Sequence, residues 1–182
     1  SAASDVYKSQ HAAFQGWDAP MIYGYQQAPL VMQTKLESWT TSNDPAQTAL
    51  MPAAALMYRR GDVAPAKETK LLDFGDAMLL TSITPNNSRA IRTLSERHKI
   101  AVMMPQTQLL PWLKQPKVEG DVIKDPQHDA GNNDDVIVSD TGEIKRDWKN
   151  GIVTVDTPKS QAAMGWISGR EIALGDVTLK ID

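Results

Sequence analysis

The sequence predicts an α/β unit followed by an all-β region, and three observations carry that assignment. Residues 1–64 read as helix, short apolar strand, long loop and second helix, the order of one unit of an α/β protein. At Ala64-Pro65 the character changes to a mixed-charge linker that runs to Lys70. From Val136 onward, short alternating segments are separated by turn signals at roughly 8–12-residue spacing, the pattern of an antiparallel sheet. The expected division is 1–64 and 65–182, the second part being an antiparallel β domain.

Ser4-Asp5 is placed to cap a helix over 6–14, and Gly16 is placed to end it in the left-handed conformation common at helix C-termini. A Gly-Trp-Asp-x-Pro turn at 16–20 leads into an apolar run at 21–25, read as a short strand. On a strand, Tyr23 and Tyr25 would lie two apart and share a face. Residues 26–42 are polar and irregular, with Trp39 as their large aromatic, and a loop of this length tends to be functional. Asp44 then caps a second helix, and Pro45 takes its first position, where a missing N–H is harmless. That helix runs to Tyr58, with Pro52 predicting a kink or a break. Arg59, Arg60 and Gly61 suit its negative end and its stop.

In the second part, 71–83 reads as strand-like, 87–99 as a short helix and 100–104 as an apolar continuation. Residues 109–113 are bracketed by Pro105, Pro111 and Pro116 and read as loop or one helical turn. Residues 118–135 are polar, with a turn cluster at 131–135. Strands follow at 136–138, 143–148, 152–156, 161–167, 170–173 and 177–181. The Asn150-Gly151 pair is the strongest hairpin signal among them.

The chain has 182 residues, 41% of them hydrophobic, and a formal net charge of -3. There is no basic stripe of the kind nucleic acid requires, and no apolar run near the roughly 20 residues of a membrane span, so neither partner is expected. The chain contains no cysteine, which excludes disulfides and thiolate chemistry and leaves the compartment open, a periplasmic or secreted one being favoured. The chain opens at Ser1 inside a helical pattern, without a basic and apolar leader, and closes on a strand pattern. It is therefore read as an internal piece of a longer protein, with a processed N-terminus and a natural terminal strand as the alternative.

The residues singled out for chemistry are Trp17, Asp18, Tyr23 and Tyr25. Sugars present flat C–H faces and many hydroxyls, so their sites pair aromatic platforms with carboxylates and amides. The same aromatics would also serve as core of an α/β layer. Asp129, Asp134, Asp135, Asp140 and Glu143 form an oxygen-rich group, but their spacing does not fit an EF-hand and turn chemistry accounts for them; no metal and no cofactor is assigned. His11, His98 and His128 lack metal-ligand spacing, and no Gly-x-Ser-x-Gly elbow occurs. Glycoside hydrolysis needs two carboxylates flanking one bond, and no such pair closes a convincing barrel strand here. Arg60-Gly61-Asp62 completes an Arg-Gly-Asp tripeptide, read as local salt bridging at a helix end.

Three stretches taken together resemble a group of large bacterial glycoside hydrolases with a (β/α)8 barrel followed by a β-rich domain. They are Phe14-Gln15-Gly16-Trp17-Asp18; Asp44-Pro45 leading to the run from Ala53 through Met57-Tyr58-Arg59-Arg60-Gly61-Asp62-Val63; and Ser139-Asp140-Thr141-Gly142-Glu143-Ile144 with the run from Val153 to Gln161 and the later Gly165. The resemblance implies that 1–14 is the helix after the seventh barrel strand, 21–25 the eighth strand and 44–60 the closing helix, with an incomplete sandwich-like domain behind. It implies a poly- or oligosaccharide substrate and catalytic glutamates upstream of Ser1, so no catalytic residue is assigned in this chain. Trp17, Asp18, Tyr23 and Tyr25 are then candidates for the substrate-facing wall, and the remainder of the barrel is the expected partner. The isolated polypeptide is expected to be inactive and poorly soluble, because its helices would leave apolar faces uncovered. The rival reading is a non-catalytic carbohydrate-binding or structural β domain, for which Trp148 and Trp166 would be the exposed aromatics.

Overall fold

Helix α1 (Ala2–Gln15) ends where the sequence asks it to. Gly16 has φ +68°, its N–H donates to the Ala13 carbonyl at 3.0 Å, and the Trp17 N–H donates to the Ala12 carbonyl at 2.9 Å. This paired closure needs a left-handed residue, which glycine adopts without steric cost. The helix begins at Ala2, so Ser4 and Asp5 lie within it rather than capping it.

The computed structural model describes residues 2–21, 24–26, 40–42, 44–75, 88–103, 118–126 and 134–181. Tyr23, Trp39, the 105–116 stretch, Asp129 and the turn residues 131–133 lie outside them. At its described positions the strand expected over 21–25 is not formed: Met21, Gly24 and Tyr25 are irregular, and Met21 is 89% exposed. A strand needs a partner for its backbone donors and acceptors, and among the described residues none pairs with this segment.

Helix α2 (Pro45–Arg59) begins on the Asp44 cap, whose Oδ1 accepts the Gln47 N–H at 2.9 Å, a contact contributing about 1 kcal/mol. Pro52 lies inside it, yet the helix is continuous. Both Pro52 and Thr48, whose carbonyl loses its partner, are on the exposed side, so the helix needs no break. Its end repeats the closure of α1, with Gly61 N–H on the Tyr58 carbonyl and Asp62 N–H on the Met57 carbonyl.

Beyond the linker the fold is mixed α/β with mostly antiparallel sheet pairing. Strand β1 (Thr69–Asp73), helix α3 (Arg89–Arg97), β2 (Lys99–Val102) and β3 (Asp121–Lys124) form a three-stranded parallel sheet in the order β2-β1-β3. An antiparallel arrangement was expected throughout 65–182; between 69 and 124 the pairing is parallel. The helix between β1 and β2 is the reason, because it carries the chain back to the start of the sheet. Leu72 and Phe74 pack with Ile91 and Leu94 of α3 into a core of their own.

Strands β4 (Val136–Val138), β5 (Ile144–Asp147), β6 (Ile152–Asp156) and β7 (Gln161–Gly165) form an antiparallel meander in chain order. A hairpin of β8 (Arg170–Leu174) and β9 (Val177–Ile181) follows. The register puts Ile144 opposite Val155 and Val153 opposite Met164, so these side chains share one face. That face packs on the helices: Phe14, Ala54 and Val63 join Ile144, Val155 and Met164 in a single core. Each fully buried apolar side chain there contributes about 1.5–3 kcal/mol relative to exposure.

Candidate functional site

The turn after α1 and the facing side of α2 enclose a cleft of about 680 Å3. Its apolar wall comes from Met21, Met51, Ala54 and Ala55, and its polar groups from Lys8, Asp18, Tyr58 and Arg59. Tyr58 Oη donates to the Trp17 carbonyl, which ties the turn to α2. Trp17 stands on the cleft with 57% of its surface exposed, one edge of its ring against His11 at a centroid distance of 6.2 Å. With more than half of its surface exposed, Trp17 is not part of the buried core.

The four residues singled out from the sequence fall differently. Trp17 and Asp18 come together in the cleft. Tyr25 is 61% exposed and does not line it; its carbonyl accepts the N–H groups of Thr41 and Ser42 at 3.2 and 3.0 Å. Tyr23 lies outside the described residues. Tyr58 and Arg59 were missed as cleft residues, although their place at the end of α2, opposite the Gly-Trp-Asp turn, was open to the argument from helix length.

Behind Trp17 lies a half-buried polar row that joins α1, α3 and β5. His11 stacks on Tyr7 at 5.7 Å, Tyr7 Oη donates to Glu96 Oε1 at 3.4 Å, and Arg146 pairs with the same carboxylate. The Arg146 guanidinium lies 3.7 Å from the centre of the Trp148 ring, a cation–π contact. Burial, assisted by the Arg146 charge, lowers the His11 pKa to about 4. Burial and the neighbouring Glu96 raise that of Tyr7, so the phenol stays protonated. Burial also raises Glu96, against the pull of Arg146.

His11 makes stability depend on pH. Its folded pKa lies below the unfolded value near 6.5, so the unfolded chain binds the proton better. Its contribution is fully present above about pH 6.5 and lost as pH falls through 4, on the order of 3 kcal/mol in all. Glu96, with its pKa raised, acts oppositely and favours the fold at low pH. Urea unfolding of the wild type and His11→Gln between pH 7 and pH 4 separates them: the difference between the two proteins should change steeply below pH 6.5. A pH-independent difference would show that His11 titrates freely.

The acidic residues near the sheet are dispersed. Asp134 pairs with Arg97 at 2.7 Å, Asp140 accepts the N–H groups of Lys67 and Glu68 at 3.1 and 3.0 Å, and Glu143 accepts the Ala64 N–H at 2.7 Å. Among the described residues no three histidine, aspartate or glutamate side chains gather as a metal site. The Arg-Gly-Asp tripeptide is local: Asp62 is buried, with its Oδ1 3.1 Å from Arg60 Nε. No described helix is long and apolar enough to cross a membrane.

Compared with family models, curated proteins and solved structures, the chain matches none of them.

Proposed function

We propose that the chain is the C-terminal part of a glycoside hydrolase acting on a poly- or oligosaccharide. In this reading α1 and α2 are the last helices of a (β/α)8 barrel, and β4–β9 belong to a sandwich-like domain packed against them. The observation that carries it is the cleft, where an exposed indole stands beside a carboxylate and two cationic side chains on a mostly apolar wall. That combination suits a sugar ring, with its C–H face on Trp17 and its hydroxyls on Asp18, Lys8 and Arg59.

Among the described residues Asp18 is the single carboxylate lining this cleft, whereas glycosidases work with two. The acid/base and nucleophile would therefore come from barrel strands that precede α1, and this chain supplies substrate-binding wall. Leu56, 58% exposed on α2, is consistent with a helix that a barrel neighbour covers.

The test is an NMR titration of the chain with oligosaccharides cut from galactomannan, xyloglucan, arabinoxylan and mixed-linkage β-glucan. At least one set should shift amides at 16–21 and 54–59, and Trp17→Ala should weaken that binding by about tenfold or more. No shift at those amides with any of the four would reject the cleft as a sugar site.

A further inference from the structure

The cleft beside Trp17 carries more positive charge than a neutral sugar needs. Lys8 lines it from α1, Asp18 from the turn and Arg59 from the last turn of α2, so among the described residues two of its three charged groups are cationic. A neutral ligand lying over them would displace water from a positive charge and return only hydroxyl oxygens.

Arg59 differs from the other arginines in what its side chain does. Arg60 pairs with Asp62 at 3.1 Å, Arg97 with Asp134 at 2.7 Å, and Arg146 with Glu96. Arg89 stands 5.7 Å from the centre of the Trp148 ring, and Arg170 donates to the Asn150 carbonyl at 3.4 Å. Among the described residues the Arg59 guanidinium has no ion pair, hydrogen bond or ring contact.

Nor is Arg59 needed to close α2. The carbonyls of Leu56, Met57 and Tyr58 already accept the N–H groups of Arg60, Asp62 and Gly61, at 2.9, 3.0 and 3.1 Å. Asp18 is equally unengaged: it lines the same cleft, yet it forms no ion pair with either of the cleft's cations. An open donor fork and an open acceptor thus share one cleft with an exposed indole.

Building on the cleft as a sugar site, we propose that the sugar it takes is acidic. The carboxylate or sulfate ester of that sugar sits on the Arg59 guanidinium, its hydroxyls on Asp18 and its C–H face on Trp17. A guanidinium presents parallel N–H donors in one plane, which match two oxygens of either anion at once. Lys8 adds to the attraction as a second positive charge on the same cleft.

NMR titration with matched oligosaccharide pairs tests this. Oligosaccharides of pectate, alginate and glucuronoxylan are each compared with their carboxyl-reduced forms, and those of carrageenan with their desulfated forms. At least one acidic oligosaccharide should shift amides at 16–21 and 54–59 and bind about tenfold or more tighter than its neutral form at low salt. That advantage should shrink at about 0.5 M salt, because the site is exposed. The pair that shows it, carboxyl or sulfate, identifies the anion. Arg59→Gln should abolish the advantage while changing affinity for the neutral form by no more than about twofold, and Arg59→Lys should keep part of it. Acidic forms binding no tighter than neutral ones would overturn the proposal and leave the cleft as a neutral-sugar site, and so would an advantage that survives Arg59→Gln. No shift with any oligosaccharide, acidic or neutral, would reject both the acidic substrate and the sugar cleft. Arg59 is exposed, so its variants should fold, and unchanged urea midpoints would verify it.

Discussion

Phe14→Ala is expected to cost about 3–5 kcal/mol of unfolding free energy. Phe14 is fully buried at the end of α1, in the core that joins α1, α2 and the antiparallel sheet. Its ring is flanked by Ala54 and Val63 on one side of the chain and by Ile144, Val155 and Met164 far along it, so removing it opens a cavity where separate segments converge. The Phe14 carbonyl accepts the Ala66 N–H at 2.9 Å, and that backbone bond survives the substitution, so the loss reports packing. Leu56→Ala, on the exposed side of α2, should cost no more than about 0.5 kcal/mol and serves as control. Urea unfolding at constant m-value reads both. A Phe14→Ala loss below about 1 kcal/mol would mean that the helices do not share a core with the sheet.

Gln15→Ala should cost about 3 kcal/mol, although no charge and little apolar area are involved. The Gln15 side chain is buried and uses both ends of its amide. Nε2 donates to the carbonyls of Ser95 and His98 at 2.6 and 2.7 Å, and Oε1 accepts the Ile100 N–H at 3.0 Å. It therefore clamps the end of α1 to the junction between α3 and β2, and truncation strands two carbonyls and one N–H, each worth about 1–3 kcal/mol when left buried and unpaired. Gln15→Glu is the sharper test. It keeps shape and volume but replaces the donor with an oxygen facing two carbonyls, so it should be at least as costly as alanine. Hydrogen exchange at the Ile100 amide should accelerate in the alanine variant, and a well-tolerated Gln15→Glu would contradict the clamp.

Neither residue could be assigned its role from the sequence, and the reason is sequence distance. Gln15 reads as a polar residue at a helix end; its partners are 80 or more positions away. The row from His11 through Glu96 to Arg146 is hidden in the same way, each member unremarkable in its own segment. Features set by neighbours within a few positions were legible. Asp44-Pro45 starts α2, Gly16 and Gly61 follow their helices, and the alternation from Val136 to Ile181 gave six strands close to their observed bounds. The parallel sheet was only half legible. Strand β3 is short and largely exposed, with Lys70 reaching Asp121 at 2.7 Å across the pair, so its composition resembled a polar loop. At 21–25 the apolar pattern was present, but the described residues Met21, Gly24 and Tyr25 form no strand. Of the candidate site, Trp17 and Asp18 were reached through residue type and turn position, whereas Tyr58 and Arg59 depend on how α2 packs across α1.

The most direct measurement is the coding sequence immediately upstream of Ser1. The expected result is an open reading frame that continues for a few hundred residues as alternating strands and helices, with a glutamate closing the strand just before Ser1. An in-frame stop, or a promoter and start codon directly before Ser1, would contradict the hydrolase reading and leave carbohydrate binding as the function to test.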